Sequence, residues 1–140
     1  MITNRGKPNQ KIFVLDSKYY RYGATKNPNH LPDSSSVVKQ LAYAEYIGNK
    51  DNRIKLPNDV RDHISDCSIY NAFIMPAENA CPENIGYVSA DYVLPQDSEK
   101  ARKPYHKIYG ILLDVRTIMY RHVPRDKQLI TNLAKVIEQA

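Results

Sequence analysis

The apolar positions in the first half of the chain follow two different periods. Residues 12–15 form an unbroken apolar run, "IFVL", which is typical of a strand covered on both faces. After a loop, "ATKNPNHLPDSSS", residues 34–50 ("SSSVVKQLAYAEYIGNK") place apolar residues three and four positions apart. This spacing predicts a helix that begins at the serines and ends at Gly48 and Asn49. Its buried stripe is expected to contain Val37, Gln40, Leu41, Ala44 and Ile47.

The second half of the chain alternates strand and helix signals. Residues 51–68 are polar and broken by proline, which predicts a loop with a short helical turn. The run "IYNAFIMP", Ile69 to Pro76, predicts a strand that ends at its proline. Residues 84–95, "NIGYVSADYVLP", are typical of a hairpin arm or an edge strand.

Two further elements follow towards the end of the sequence. Lys107 to Leu113 predicts a third strand, after which Asp114 is a candidate helix cap. The residues with helical spacing after this cap are Val115, Ile118 and Met119. Residues 125–140 predict an amphipathic helix whose buried stripe contains Leu129, Leu133, Val136 and Ile137.

This order of elements predicts an α/β fold, a mixed β-sheet flanked by helices. A length of 140 residues is enough for one domain and too little for two comfortable ones, so residues 1–140 are expected to form a single domain, complete or truncated. The net charge of +5 and the pI of about 9.1 favour an anionic partner without identifying it. No run approaches the roughly 18–20 apolar residues of a membrane span, and the first residues lack a signal peptide. We therefore expect a cytoplasmic protein without membrane contact, in which Cys67 and Cys81 are reduced thiols.

A charged pair closes the first strand. Side chains on a strand alternate between its two faces, so Asp16 and Lys18 project to the same side. The simplest interpretation is a surface salt bridge, worth about 0–1 kcal/mol. The alternative is a site at the sheet rim, since a carboxylate can hold Mg²⁺ and a neighbouring lysine can stabilise charge on a phosphate oxygen.

The segment "IFVLDSKYYRYG…LPDSSSVVKQLAYAEYI" resembles the core of the PD-(D/E)xK nucleases, and specifically the nuclease region of LlaJI-type restriction endonucleases, which are related to the McrBC system. In that superfamily a (D/E)xK element closes a strand, as Asp16-Ser17-Lys18 does. A following helix carries a glutamine and a tyrosine, as "KQLAY" does with Gln40 and Tyr43. The later strands "NAFIMP" and "ILLDVRTIMY" are also similar, so the resemblance extends from about Lys11 to Tyr120.

The resemblance implies a restriction-endonuclease-like fold and a Mg²⁺-dependent DNA endonuclease, with Mn²⁺ as a substitute metal. Asp16 and the carbonyl of Ser17 would bind the metal, and Lys18 would position the attacking water. Gln40 and Tyr43 would brace the site, with both placed on the same side of the helix. The implied partners are DNA, a GTP-hydrolysing motor subunit and, for double-strand cleavage, a second copy of the chain.

Several of these residues keep a structural alternative. Gln40 could be a core glutamine whose amide is bonded to the backbone. Tyr19, Tyr20 and Arg21 are candidates for phosphate contacts, with packing or rim positions as the alternative.

The chain departs from the superfamily before its first strand. The Pro-Asp motif that supplies a second acidic ligand is absent, since no Asp or Glu precedes Asp16. Fifteen residues also leave no room for the usual preceding strand and helix, at ~3.3 Å per residue. Asn9 would supply only a neutral oxygen, Glu45 points away from Gln40 on the helix, and Asp114 is either a second acid or a helix cap.

Two other functions remain open at this point. The first is the same fold without catalysis, a module that binds DNA or protein. The second is a metal-independent, RNA-cleaving toxin of a toxin–antitoxin pair, suggested by the small size and basic charge. Its acid–base candidates are His63, His106 or His122 together with Arg116, although surface positions would explain these histidines equally well.

Overall fold

One mixed β-sheet organises the protein in a computed structural model that describes residues 1–17, 20–49, 51–64, 68–78, 82–89, 103–114 and 127–138. Within these ranges the sheet has five strands in the order β1-β2-β3-β5-β4. The strands are β1 (Ile2–Thr3), β2 (Lys11–Ser17), β3 (Ile69–Ala77), β4 (Glu83–Ser89) and β5 (Lys107–Asp114).

The helices connect and cover these strands. They are α1 (Tyr22–Thr25), α2 (Ser34–Gly48), α3 (Asn58–Arg61) and α4 (Lys127–Glu138). Single 3₁₀ turns occupy Pro28–His30, Arg53–Lys55 and Pro104–His106. The chain between β2 and α2 therefore contains two short turns where the sequence predicted only a loop.

The three central strands of the sheet, β2, β3 and β5, are parallel. β2 pairs with β3, and β3 with β5, in parallel, whereas β1 and β4 are antiparallel strands at the two edges. The predicted α/β class with a mixed sheet flanked by helices is confirmed, and β4 is the predicted edge strand. Parallel strands place their carboxyl ends at the same border of the sheet, so Ser17, Ala77 and Asp114 end there together.

Each face of the sheet is covered by one long helix. On one face, Leu129, Leu133 and Ile137 of α4 pack against a cluster that includes Phe13 and Ile111. On the other face, the residues of α2 join two clusters with the sheet, which contain Val37, Leu41, Ala44, Ile12, Ile69, Phe73 and Ile108. Because alternate residues of β2 face opposite sides, Ile12 and Val14 lie on the α2 face and Phe13 and Leu15 on the α4 face.

Two local expectations need revision. The strand that was predicted to end at Pro76 continues to Ala77, since proline is compatible with strand geometry near a strand end. A preceding strand does exist, but β1 has only two residues, and the turn that joins it to β2 needs positive φ at Asn4 and Gly6. The helix predicted to begin at the serines and to end at Gly48 and Asn49 is confirmed, with Asp33 as its N-cap. The helix predicted at 115–119 lies outside the described residues.

Candidate functional site

Asp16 lies near the carboxyl end of β2, on the face of the sheet that α2 covers. It is in register with Phe73 of β3, and its side chain is half-buried. Ser17 is the last residue of the strand and is exposed. Lys18 and Tyr19, predicted as catalytic lysine and DNA contact, lie outside the described residues, so the Asp16 to Lys18 pairing stays a prediction.

Helix α2 runs back across the sheet in the direction opposite to the strands. Val37, near its beginning, packs with Phe73, whereas Leu41 and Ala44 pack with Ile12 and Ile69 at the starts of their strands. The beginning of α2 is therefore close to the carboxyl border of the sheet, where Asp16 lies. Residues one turn further along α2 lie correspondingly further from Asp16, by about 5.4 Å per turn.

Gln40 is completely buried between α2 and the sheet. Its Nε2 donates hydrogen bonds to the carbonyl oxygen of Val14, at 3.1 Å, and to that of Ala72, at 3.3 Å. This is the geometry of a core glutamine bonded to the backbone, the alternative to a group that touches substrate. Its Oε1 has no hydrogen-bond partner within the described ranges. Gln40 thus holds the strand two residues before Asp16, and its predicted catalytic role stays a prediction.

Tyr43 occupies a different environment from Gln40. Its side chain is 53% exposed, whereas Gln40 is 0% exposed, so the expectation that the two share one side of the helix is wrong. The physical reason is helical geometry, because at about 100° per residue Gln40 lies at one edge of the buried stripe and Tyr43 lies about 60° further out. Tyr43 also lies one turn further than Gln40 from the carboxyl border, and its predicted bracing role stays a prediction.

The chain after the described end of β2 lies close to the end of β3. Tyr20 packs with Met75 and Leu112, and its hydroxyl is 2.9 Å from the hydroxyl of Ser36. This contact agrees with the packing alternative for Tyr20. Arg21 is exposed at the start of α1, where its carbonyl accepts hydrogen bonds from the backbone amides of residues 24 and 25, and its predicted phosphate contact stays a prediction.

The additional metal ligands that the sequence offered lie away from Asp16. Asp114 pairs with Ala77, four residues beyond Phe73 and one strand further across the sheet. These offsets separate the Asp16 and Asp114 backbones by about 16 Å. Glu45 is exposed on α2, and Asn9 precedes β2 at the opposite end of the strand. The described ranges contain no group of three His, Cys, Asp or Glu residues that could hold a metal ion.

The donor set therefore fits a Mg²⁺ ion only in part. One carboxylate and one main-chain carbonyl are oxygen ligands of the right kind, but a hard divalent cation needs more anionic oxygen than they supply. Cys67 and Cys81, predicted to be reduced thiols, lie outside the described residues.

The structure also limits the acid–base candidates of the ribonuclease hypothesis. His106 is only 5% exposed, and its Nδ1 accepts a hydrogen bond from the Lys103 amide at 3.2 Å. It lies immediately before β5, at the amino end of that strand, where it caps a turn rather than facing solvent. His63 is half-buried, and His122 and Arg116 fall outside the described residues.

Two buried amides were missed in the sequence. Asn71 is 0% exposed in the middle of β3, and Gln10 is 2% exposed just before β2. The signal for Asn71 was available, since an amide inside the apolar run "IYNAFIMP" must find hydrogen-bond partners once the strand is buried. Gln10 gave no such signal, because it lies in a polar stretch.

Comparisons with known proteins leave the chain without an assigned family. No protein-family model matches it, and neither the curated proteins nor the solved structures contain a match. In the described part of the chain, none of the helices has the length and apolar character needed to cross a membrane. The structure itself defines the class of protein, which is an α/β domain with a carboxylate at the carboxyl border of its parallel strands.

Proposed function

We propose that this chain is the nuclease domain of a restriction or defence system, with a restriction-endonuclease-like fold and Mg²⁺-dependent cleavage of DNA. The observation that supports the proposal is the position of Asp16. It is a half-buried carboxylate at the carboxyl border of a parallel sheet, beneath the start of the helix that carries Gln40. Ligand sites of open α/β sheets tend to lie at this border.

The residues would divide the work as the family resemblance implies. Asp16 and the Ser17 carbonyl would hold the metal, which stabilises charge on the phosphate when bound. Lys18 would orient the attacking water, Gln40 would hold the strand that bears Asp16, and Tyr43 would brace the site. Tyr19 and Arg21 would contact phosphates of the DNA backbone. A GTP-hydrolysing motor subunit and a second copy of the chain are proposed partners, and the cytoplasm is the proposed location.

A second candidate function is the same domain acting as a DNA-binding module without cleavage. The observation that favours it is the separation of about 16 Å between Asp16 and Asp114, estimated from the strand register. With Asp16 as the one carboxylate among the proposed metal ligands, the metal is short of anionic oxygen. A partner chain that supplied the second carboxylate would restore cleavage.

The proposal is tested by cleavage of supercoiled plasmid by the full chain. Nicking is measured in Mg²⁺ and in Mn²⁺, with an EDTA control, for the wild type, Asp16→Asn and Lys18→Ala. Asp51→Asn is the matched control, because it removes an exposed carboxylate in a turn at the far end of α2.

Metal-dependent nicking that Asp16→Asn and Lys18→Ala abolish and Asp51→Asn preserves would support the nuclease. DNA binding without nicking in either metal would favour the binding module. Cutting that persists in EDTA and in Asp16→Asn would rule out the proposed site.

A further inference from the structure

The contact between α2 and the sheet contains two buried side-chain amides, Gln40 and Asn71, both 0% exposed. Asn71 is in register with Val14 of β2 and with Ile108 of β5, so it lies at the middle of the parallel strands. A buried amide in such a strand has no access to water and must find its hydrogen bonds within the protein.

Asn71 uses its amide to hold two other elements. Its Nδ2 donates a hydrogen bond to the main-chain carbonyl of Gln40, at 3.1 Å, and another to that of Tyr105, at 3.4 Å. The first bond reaches the middle of α2, and the second reaches the 3₁₀ turn that leads into β5. The side chain therefore ties the central strand to the helix above it and to the entry of the next strand.

The side chain of Gln40 forms hydrogen bonds from α2 back to the sheet. While its backbone accepts from Asn71, its side chain donates to the carbonyls of Val14 and Ala72. Ala72 lies opposite Leu15, the residue before Asp16. A continuous set of hydrogen bonds thus links Asn71, the backbone of residue 40 and the middle of β2 at Val14, two residues before Asp16.

These bonds restrict the position of α2 more tightly than apolar contacts do. Apolar burial is non-directional and tolerates small slides of a helix, whereas a hydrogen bond demands a distance and an angle. Neither Gln40 Oε1 nor Asn71 Oδ1 has a hydrogen-bond partner within the described ranges. An unpaired buried oxygen lowers the stability of the folded protein. We therefore attribute to the two amides a role in orienting α2 on the sheet rather than in stabilising the fold.

We propose that Asn71 is a positioning residue, which sets the register of α2 on β2 and β3 and thereby places the Gln40 amide relative to Asp16. The proposal rests on the proposed function only where it concerns activity. Its structural part, that Asn71 controls the environment of Asp16 through α2, can be measured on the free protein.

The test compares Asn71→Leu, which has a similar shape without polar atoms, and Asn71→Ser, which is smaller and cannot clash. Gln10→Leu is the matched control. Gln10 is another buried amide, bonded to the Val60 carbonyl and the Gly6 amide, but it lies at the opposite end of β2 from Asp16. Amide resonances of the full chain are recorded by NMR, and plasmid nicking is measured in Mn²⁺.

We expect both Asn71 variants to remain folded and to shift the amide resonances of Leu15, Asp16 and Gln40. Gln10→Leu should leave these three in place. Nicking should slow about tenfold in Asn71→Leu, as is usual when the support of a metal-site residue is removed, and stay within about twofold of wild type in Gln10→Leu.

Unchanged resonances of Leu15 and Asp16 in both variants would overturn the proposal, since Asn71 would then be a packing residue only. Loss of folding in both variants would overturn it too, because Asn71 would be needed for the fold as a whole. If the wild type does not nick DNA, or if Asp16→Asn nicks normally, the nuclease function fails, and the resonances alone decide the role of Asn71.

Discussion

Gly23 lies where the chain after β2 passes the end of β3. A Cβ at this position would overlap the carbonyl oxygen of Pro76 and press on the side chain of Ala77. The requirement for glycine is one of space. Because Tyr20 and Tyr22, just before Gly23, pack against Met75, Ala77 and Leu112, this close approach holds the segment that follows Asp16 against the sheet.

Gly23→Ala should therefore destabilise the protein. A backbone carbonyl cannot rotate away as a flexible side chain can, so α1 must move, at a cost of about 1–3 kcal/mol in the free energy of unfolding. Urea denaturation measures the loss. The control is Ala24→Gly, at an exposed position of the same turn, which should cost about 1 kcal/mol or less. If the Gly23→Ala protein were as stable as the wild type, the backbone at Gly23 could not lie as close to the Pro76 carbonyl as described.

The functional residues differ in how far a sequence pattern can locate them. Alternation along a strand is enough to assign Asp16 to one face, because strand side chains repeat with a period of two. Helical spacing placed Gln40 on the buried stripe correctly, but it could not show that the amide bonds the carbonyls of Val14 and Ala72. Those two partners lie on different strands and are 58 positions apart in the sequence, and only folding brings them together.

At the scale of elements, α2 shows how a helix start is defined by hydrogen bonding. Asp33 accepts a hydrogen bond from the Ser36 amide at 2.9 Å and another from the Ser35 hydroxyl at 3.1 Å. The four polar residues 33–36 are all good cap residues, so their sequence does not decide among them. In the folded chain Asp33 takes the cap position, with an extended backbone at φ −81° and ψ 175°.

These hydrogen bonds lower the pKa of the Asp33 carboxyl below its ordinary value of 3.8, chiefly through the Ser36 amide. A carboxyl whose pKa is lower in the folded state stabilises the protein above its ordinary pKa, and this stabilisation is lost as the pH falls through the lowered value. Asp33→Ala should therefore reduce the melting temperature at neutral pH. The difference from wild type should shrink steadily below pH 3.8.

Thermal unfolding followed by circular dichroism across this pH range checks the expectation. Asp51→Ala is the control, since it removes an exposed carboxylate in the turn after α2 that does not cap the helix. A difference for Asp33→Ala that stays constant down to strongly acidic pH would contradict the assignment of Asp33 as the charged cap.

The sequence predicted most of the strands and helices, but not the residues at which they begin and end. Strong periodicity located β2, α2, β3, β5 and α4, since a buried face must repeat with the period of its element. The two-residue strand β1 has no period to detect, and it exists because its backbone pairs with Ile12 and Lys11. The additional residue of β3 after Pro76 likewise depends on pairing, because Ala77 is aligned with Asp114.

At the scale of the whole molecule, the net charge of +5 is the property that bears on a nucleic-acid partner. Lysine and arginine contacts to phosphates release counterions, so binding weakens as salt increases. Such contacts give affinity without sequence recognition, and the charge therefore says nothing about a target site.

DNA binding by this chain should consequently fall steeply with salt. Fluorescence anisotropy with a labelled duplex, measured at several salt concentrations, should give a negative slope of log K against log salt, about −0.9 for each phosphate contact. Duplexes of unrelated sequence should give the same slope, and Arg21→Ala should reduce its magnitude by about one contact. Binding that does not respond to salt would exclude a phosphate-contacting surface.

The sequence by itself determined the class of fold, the principal strands and helices, and the presence of a carboxylate at the end of a buried strand. These properties are local, because periodicity and strand alternation act over a few neighbouring residues. Only the tertiary structure decided that Asp114 is remote from Asp16 and that Gln40 and Asn71 join α2 to the sheet. Each of these depends on strand order, register and helix direction, which are set by contacts between residues far apart in the chain.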